Sequence, residues 1–173
     1  DADTLSGAGG DDMLSGGNGN DSLTGGSGAD TLDGGDGNDQ LLGSEFAHGQ
    51  LINGSSGARF DDGVRDDLLG GLGNDNLSMG AGDYVDGGDG ADSLSVTLVG
   101  LSSGVSLDLR QDAVSRIATA AGSTIVNVET INRIALTDHD DVLIRGASVT
   151  AGNLYGLGGN DTMTGDERTD SIG

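Results

Sequence analysis

Asp12, Asp21, Asp30 and Asp39 stand nine residues apart, each behind a glycine-rich stretch and each two positions before a leucine. Asp75 and Asp92 have the same setting, ahead of Leu77 and Leu94. Short carboxylates on flexible loops, among carbonyls that glycine leaves free to turn, make a donor set for a hard cation. The same aspartates could instead close Asx turns. Acid–base catalysis is a poorer use of them. Serine and aspartate are everywhere and His48 and His139 are the only histidines, so a Ser-His-Asp set can be drawn many ways and means nothing. No HExxH and no GxxxxGK phosphate loop occurs. His139 lies between Asp138 and Asp140, where an exposed loop histidine is the simpler reading than a tuned base or zinc ligand.

The elements that position these carboxylates follow from the period. Residues 16–24, 25–33 and 34–42 are consecutive copies of one nonapeptide, residues 7–15 keep the frame, and Asp3-Thr4-Leu5-Ser6 ends one more copy. Glycines at positions one, two and four permit positive φ and a tight six-residue loop. The last three residues, such as Ser22-Leu23-Thr24, read as a very short strand with its middle residue facing inward. Two units then make one turn of 18 residues, and stacked turns lie roughly 4.8 Å apart. Asp21 falls near Asp39, and Asp12 near Asp30. Two carboxylates about 4 Å apart repel by roughly 4 kcal/mol at an effective dielectric of 20. A divalent cation between loops reverses that sign, and flexible, carbonyl-rich loops suit Ca²⁺ better than Mg²⁺. The expectation is an all-β solenoid folded by calcium.

These units resemble the GGxGxDxUx nonapeptide of the RTX (repeats-in-toxin, hemolysin-type calcium-binding) family, well over residues 1–43 and 66–95 and less regularly over 138–173. The resemblance implies a parallel β-roll with two short strands per 18-residue turn, in a module of a larger secreted bacterial protein. Such a module stays unfolded in low cytosolic calcium and folds outside the cell, after passage through a type I exporter. Position by position, the implied side-chain ligands are Asp12, Asp21, Asp30, Asp39, Asp75 and Asp92. Asp3, Asp66, Asp83, Asp141 and Asp161 follow, on truncated or irregular loops. The implied carbonyl ligands, at loop positions one, three and five, are Gly16, Asn18, Asn20, Gly25, Ser27, Ala29, Gly34, Asp36, Asn38, Gly70, Leu72, Asn74, Gly87, Asp89 and Ala91. Paired loops give roughly five Ca²⁺ sites.

Composition agrees. The 173 residues carry 26 Asp against 3 Glu, seven Arg and no Lys, for a net charge of −22. That charge disfavours nucleic acid or an anionic membrane as partner. No apolar run of about 20 residues exists to span a bilayer. There is no Cys, so disulfides, Cys zinc sites and thiol chemistry are excluded. The chain opens and closes within repeats, without a signal peptide or initiator Met, which suggests excision from something longer.

Along the chain, residues 1–43 form a first repeat block. Residues 44–65 lose the signature, although the interval from Gly43 to Gly70 is three whole units; His48 and Gly57 fall where Asp would stand, as in decayed repeats or a bulging loop. Phe46 and Phe60, the only phenylalanines, are expected to plug the end of a small core. Residues 66–95 form a second block, in which the loop before Asp83 is one residue short. Residues 96–137 read as longer strands that continue or cap the solenoid. Residues 138–173 form a third, irregular block, where Gly152 replaces Asp. One continuous domain is expected.

Three functional classes follow. The leading one is a calcium-binding folding and secretion module, located outside the cell or at its surface and itself non-catalytic. The second is a structural or adhesive surface module, S-layer-like or in contact with polysaccharide. It would need outward ladders at positions seven and nine; Thr4, Ser6, Ser22 and Thr24 begin one that Gln40 and Leu42 end. An enzyme would need a catalytic constellation that the residues do not supply.

Overall fold

The computed structural model describes residues 1–44, 63–109, 117–118, 122–145 and 150–164. In the repeat blocks each nonapeptide contributes one strand: β1 (Thr4–Gly9), β2 (Met13–Asn18), β3 (Ser22–Ser27), β4 (Thr31–Asp36), β5 (Gln40–Ser44), β6 (Asp67–Leu72), β7 (Asn76–Met79), β8 (Tyr84–Asp89) and β9 (Ser93–Thr97). There follow β10 (Ser106–Leu109), β11 (Ile117–Ala118), β12 (Thr124–Val126), β13 (Thr130–Ala135), β14 (Val142–Arg145), β15 (Thr150–Tyr155) and β16 (Thr162–Thr164). No helix occurs among the described residues.

Successive strands of the repeats alternate between two sheets, ordered β1-β3-β5-β7-β9-β13-β15 and β2-β4-β6-β8-β12-β11. A third sheet, β10-β14-β16, lies beyond the complete repeats. Pairing is parallel throughout these sheets, except that β11 runs antiparallel to β12 and closes one end. This is a parallel β-roll. Its inward column is position eight: Leu5 pairs with Leu23 and Leu23 with Leu41, while Leu14 pairs with Leu32 on the other sheet. Leu23, Leu32, Leu41, Leu68, Val85, Leu94, Ile125 and Ile131 are fully buried. Each such side chain contributes about 1.5–3 kcal/mol. Leu5 and Leu14, at the open N-terminal end, are only partly covered.

The strands are longer than the period suggests. Ser22–Ser27 is one six-residue strand, so the first two glycines of the next unit belong to the sheet and only residues 28–30 turn the corner. Glycine at these positions hides strand character because it has no side chain to alternate. Conversely, the strands of 96–136 do not exceed the six residues of the roll strands, since each crosses one face before the chain turns. The spacing across the second block is also specific. Leu32 pairs with Leu68 and Leu41 with Leu77, a step of 36 residues where 18 is the rule. His48, Gly57, Phe46 and Phe60 lie outside the described residues. The short loop before Asp83 sets the next step at 17, pairing Leu68 with Val85 and Leu77 with Leu94.

Candidate metal centre

The roll gathers the position-six aspartates into two columns, one at each edge. In the first, the backbone N–H of Asp3 donates to Asp21 Oδ1 (2.7 Å), Asp21 to Asp39 (2.8 Å), Asp39 to Asp75 (2.7 Å) and Asp75 to Asp92 (2.8 Å). In the second, Asp12 donates to Asp30 (2.9 Å), Asp30 to Asp66 (3.0 Å) and Asp66 to Asp83 (3.0 Å). Each carboxylate past the first of its column thus spends one oxygen on fixing its neighbour turn. The other oxygen, Oδ2, of Asp12, Asp21, Asp39, Asp75 and Asp92 is buried with no hydrogen-bond partner. A buried acceptor left so costs about 1–3 kcal/mol, more when charged.

Where those oxygens point is decided by position one. A methyl added at Gly16 would collide with Asp21 Oδ2 and lie 2.7 Å from the Gly34 carbonyl oxygen. The same space recurs at Gly7 (Asp12, Gly25), Gly25 (Asp30, Gly43), Gly34 (Asp39, Gly70) and Gly70 (Asp75, Gly87). Glycine at position one is therefore required for room, whereas positions two and four carry the positive φ, as at Gly26 (119°) and Gly28 (121°). The space brings a carboxylate oxygen against a carbonyl of the next turn. Both are hard oxygen donors, and among the described residues the Oδ2 atoms of Asp12, Asp21, Asp39 and Asp75 meet no hydrogen-bond donor. Among the described residues no three His, Cys, Asp or Glu side chains converge on one point. An ion here would therefore rest largely on carbonyls, a donor set that fits calcium.

The electrostatics point the same way. Burial pushes the Asp75 carboxyl up to about 6; the Asp39 N–H opposes the rise, and the charges of Asp92 and Asp39 add to it. Burial also raises Asp39, opposed by the Asp21 N–H and reinforced by the charges of Asp21 and Asp33. Asp92 is raised chiefly by burial, with Glu129 and Asp86 adding to it.

The other expected ligands are distributed unevenly. Position-one carbonyls of Gly25, Gly34, Gly70 and Gly87 line the spaces just described. Position-three carbonyls already have a structural partner: Ser27, Asp36, Leu72 and Asp89 accept the N–H of Gly10, Gly19, Gly37 and Gly73. The Asn18 carbonyl accepts the terminal amine of Asp1. Position five holds a feature the sequence reading missed. The side-chain oxygens of Asp11, Asn20, Asn38 and Asn74 accept the N–H of Ala29, Asn38, Asn74 and Ala91, one turn on, at 2.7–3.0 Å. The recurrence of Asn at 20, 38 and 74 was the available signal. Glu129 was missed as well: its Oε2 accepts the Asp92 N–H at 2.7 Å and extends the first column.

Irregular loops differ. In the shortened loop, Asp83 Oδ2 accepts the Gly80 N–H at 2.7 Å. Asp141 takes Val105 N–H on Oδ1 and Thr137 N–H on Oδ2, at 2.8 and 2.9 Å, and the Thr137 hydroxyl at 2.9 Å. Asp161 Oδ1 holds the Asp141 N–H at 3.1 Å. Asp3 is exposed at the open end of its column. Neither group suggestive of catalysis is built up. His139 is exposed, with its N–H on Thr137 Oγ1. The stretch 100–104, Gly-Leu-Ser-Ser-Gly, has the GxSxG spacing but lies between two strands, with Ser102 exposed, and forms no strand-to-helix elbow.

Buried, uncompensated carboxylates stacked against carbonyls at the edges of a parallel roll define a cation-binding β-solenoid. The chain carries RTX calcium-binding nonapeptide repeats: the profile of that family matches in 4 copies, over residues 1–23, 15–46 and 153–172. RTX repeats bind Ca²⁺, and the matched stretches support a calcium-binding module. No curated protein and no solved structure matches the chain significantly. The structure places residues 66–95 in the same two columns as the matched repeats.

Proposed function

We propose that this chain is a calcium-gated folding module of a larger secreted bacterial protein, non-catalytic in itself. It is disordered at cytosolic calcium, passes a type I exporter unfolded, and folds outside the cell or at its surface. The observation that carries this reading is the row of buried Oδ2 atoms without partners. Without an ion each adds a desolvated negative charge beside another, and the net charge of −22 expands the unfolded chain. With an ion the same atoms become ligands, so binding and folding are one event. Extracellular calcium modules of this kind have affinities near 10⁻⁴–10⁻³ M, which leaves them empty inside the cell. Far-UV circular dichroism during a calcium titration, with magnesium as control, tests it. A cooperative coil-to-β transition with calcium alone is expected. A β spectrum indifferent to chelator would overturn the gating.

A second reading, contact with a neutral polysaccharide, is favoured by the seven-stranded sheet. None of its strands contains Asp or Glu, although the chain has 29 acidic residues. Past Gln40 and Leu42 the strands continue with Asn76 and Ser78, then Ser93 and Ser95, although Leu42 and Ser78 are buried. A cleft of about 510 Å³ on this sheet is lined by Ser22, Thr24, Gln40, Asn76, Ser93 and Asn132, among others. Retention of the calcium-loaded chain on immobilised neutral glycans is the expected result, and its absence from a broad panel would sink this reading.

A further inference from the structure

The second repeat block ends just after Asp92, yet the column it builds continues. The next turn on that edge is supplied by Asn127-Val128-Glu129, immediately before β13, whose Thr130 pairs with Ser93. Glu129 Oε2 accepts the Asp92 N–H at 2.7 Å, the bond that Asp92 Oδ1 itself makes to Asp75 at 2.8 Å. The Asn127 carbonyl occupies the place of a position-one carbonyl: a methyl at Gly87 would meet Asn127 O and Asp92 Oδ2, as one at Gly34 would meet Gly70 O and Asp39 Oδ2. Asn127 achieves this in the left-handed region, at φ 51°, and its Nδ2 is tied to Asp86 Oδ1 at 2.8 Å. Asp92 is fully buried, and its Oδ2 has no hydrogen-bond partner.

From these contacts we infer that Asp92, Asn127 and Glu129 form a further calcium site outside the nonapeptide pattern, closing the first column. This rests on the calcium reading of the repeats. Three residues, Asn127 to Glu129, stand in for positions one to six of a repeat. The opposite column ends differently. There Ser123 stands after Asp83, accepting the Gly82 N–H at 2.9 Å and donating to the Gly80 carbonyl at 3.3 Å. Serine brings no charge, and Asp83 Oδ2 is already engaged by Gly80, so that edge has no equivalent site. Residues 127–129 lie outside the stretches matched by the family profile.

Calcium counted by equilibrium dialysis tests the site, on the full chain and on Glu129→Gln, with Asp39→Asn as a second variant. Glu129→Gln keeps an acceptor for the Asp92 N–H and removes the charge. The expected result is one fewer ion, or an occupancy weakened by about tenfold or more, with the remaining ions retained. Asp39→Asn should lose calcium independently. An unchanged count and affinity in Glu129→Gln, beside a loss in Asp39→Asn, would overturn this site and leave the calcium reading standing. No calcium on the unmodified chain would overturn both. If Glu129→Gln fails to fold in calcium, Glu129→Asp decides. Restored charge should return both β structure and calcium; a chain still unfolded would make Glu129 a packing residue and end the proposal.

Discussion

Asp75 and Asp141 are both buried, both precede a strand, and both accept a backbone N–H from a neighbouring strand or turn. They differ in one oxygen. Asp75 Oδ2 faces the Gly87 carbonyl across a space that no protein donor enters, whereas Asp141 Oδ2 is held by the Thr137 N–H at 2.9 Å. The turns around Asp75, 36 residues after Asp39 and 17 before Asp92, leave a charge for an ion to neutralise. At Asp141 the chain folds back within four residues and supplies N–H and O–H donors of its own. The same residue type thus serves as an ion ligand in one region and as a self-contained turn in the other. The lack of a protein donor at Oδ2, more than acidity, makes the site.

The largest effect that should separate the two regions comes from filling the space without touching charge. Gly34→Ala puts a methyl against Asp39 Oδ2 and 2.6 Å from the Gly70 carbonyl. It should abolish calcium binding at that turn and shift the folding midpoint to severalfold higher calcium in a dichroism titration. Gly63→Ala, where a methyl meets nothing within 4 Å, serves as the reference, though its φ of 75° adds modest strain.

Next come Asp75→Asn and Asp141→Asn, whose outcomes should have opposite dependence on calcium. Asn at 75 keeps an oxygen for the Asp39 N–H and removes a buried charge, so the calcium-free chain should become more ordered while calcium binding weakens. Asn at 141 cannot satisfy two N–H donors and a hydroxyl with its single oxygen, and should destabilise by about 1–3 kcal/mol. Denaturation with and without calcium would show that loss in both conditions. If both variants lose stability only in calcium, the distinction fails.

A smaller effect is expected from pH. The Asp75 carboxyl is raised to about 6 in the fold, above its value of about 3.9 in an unfolded chain. Its contribution to calcium-free stability is therefore full below about 3.9 and lost as pH rises through about 6. In chelator, β structure should increase on acidification from pH 8 towards 4.5. In calcium the direction reverses at the sites, because protons compete for the same oxygens, and affinity should fall below about pH 6. The smallest effect is local. Ala8 holds φ 73° at a position that glycine occupies at 17, 26, 35, 71 and 88, so Ala8→Gly should stabilise the loaded roll by about 1 kcal/mol in thermal melts.

Much of this was legible from the nonapeptide alone. A nine-residue period with Leu14, Leu23, Leu32 and Leu41 in one phase leaves few alternatives to a stacked coil with these residues inside. It also placed Asp21 beside Asp39. Strand length was not legible, because the glycines that look like loop are paired in the sheets. The role of position one was misread for a similar reason: a missing Cβ and a positive φ leave the same letter in the sequence. Glu129 escaped because it stands 37 residues after Asp92 and differs from the consensus acid, and only the pairing of Ser93 with Thr130 reveals it as the next rung.

The central claim is that calcium sits where the turns of the roll leave Oδ2 without a protein donor. The most direct test is anomalous scattering from crystals of the calcium-loaded chain. The account predicts peaks between turns beside Asp12, Asp21, Asp39, Asp75 and Asp92, and none at Asp83 or Asp141. Columns without ions, or an ion at Asp141 as strong as that at Asp75, would contradict it.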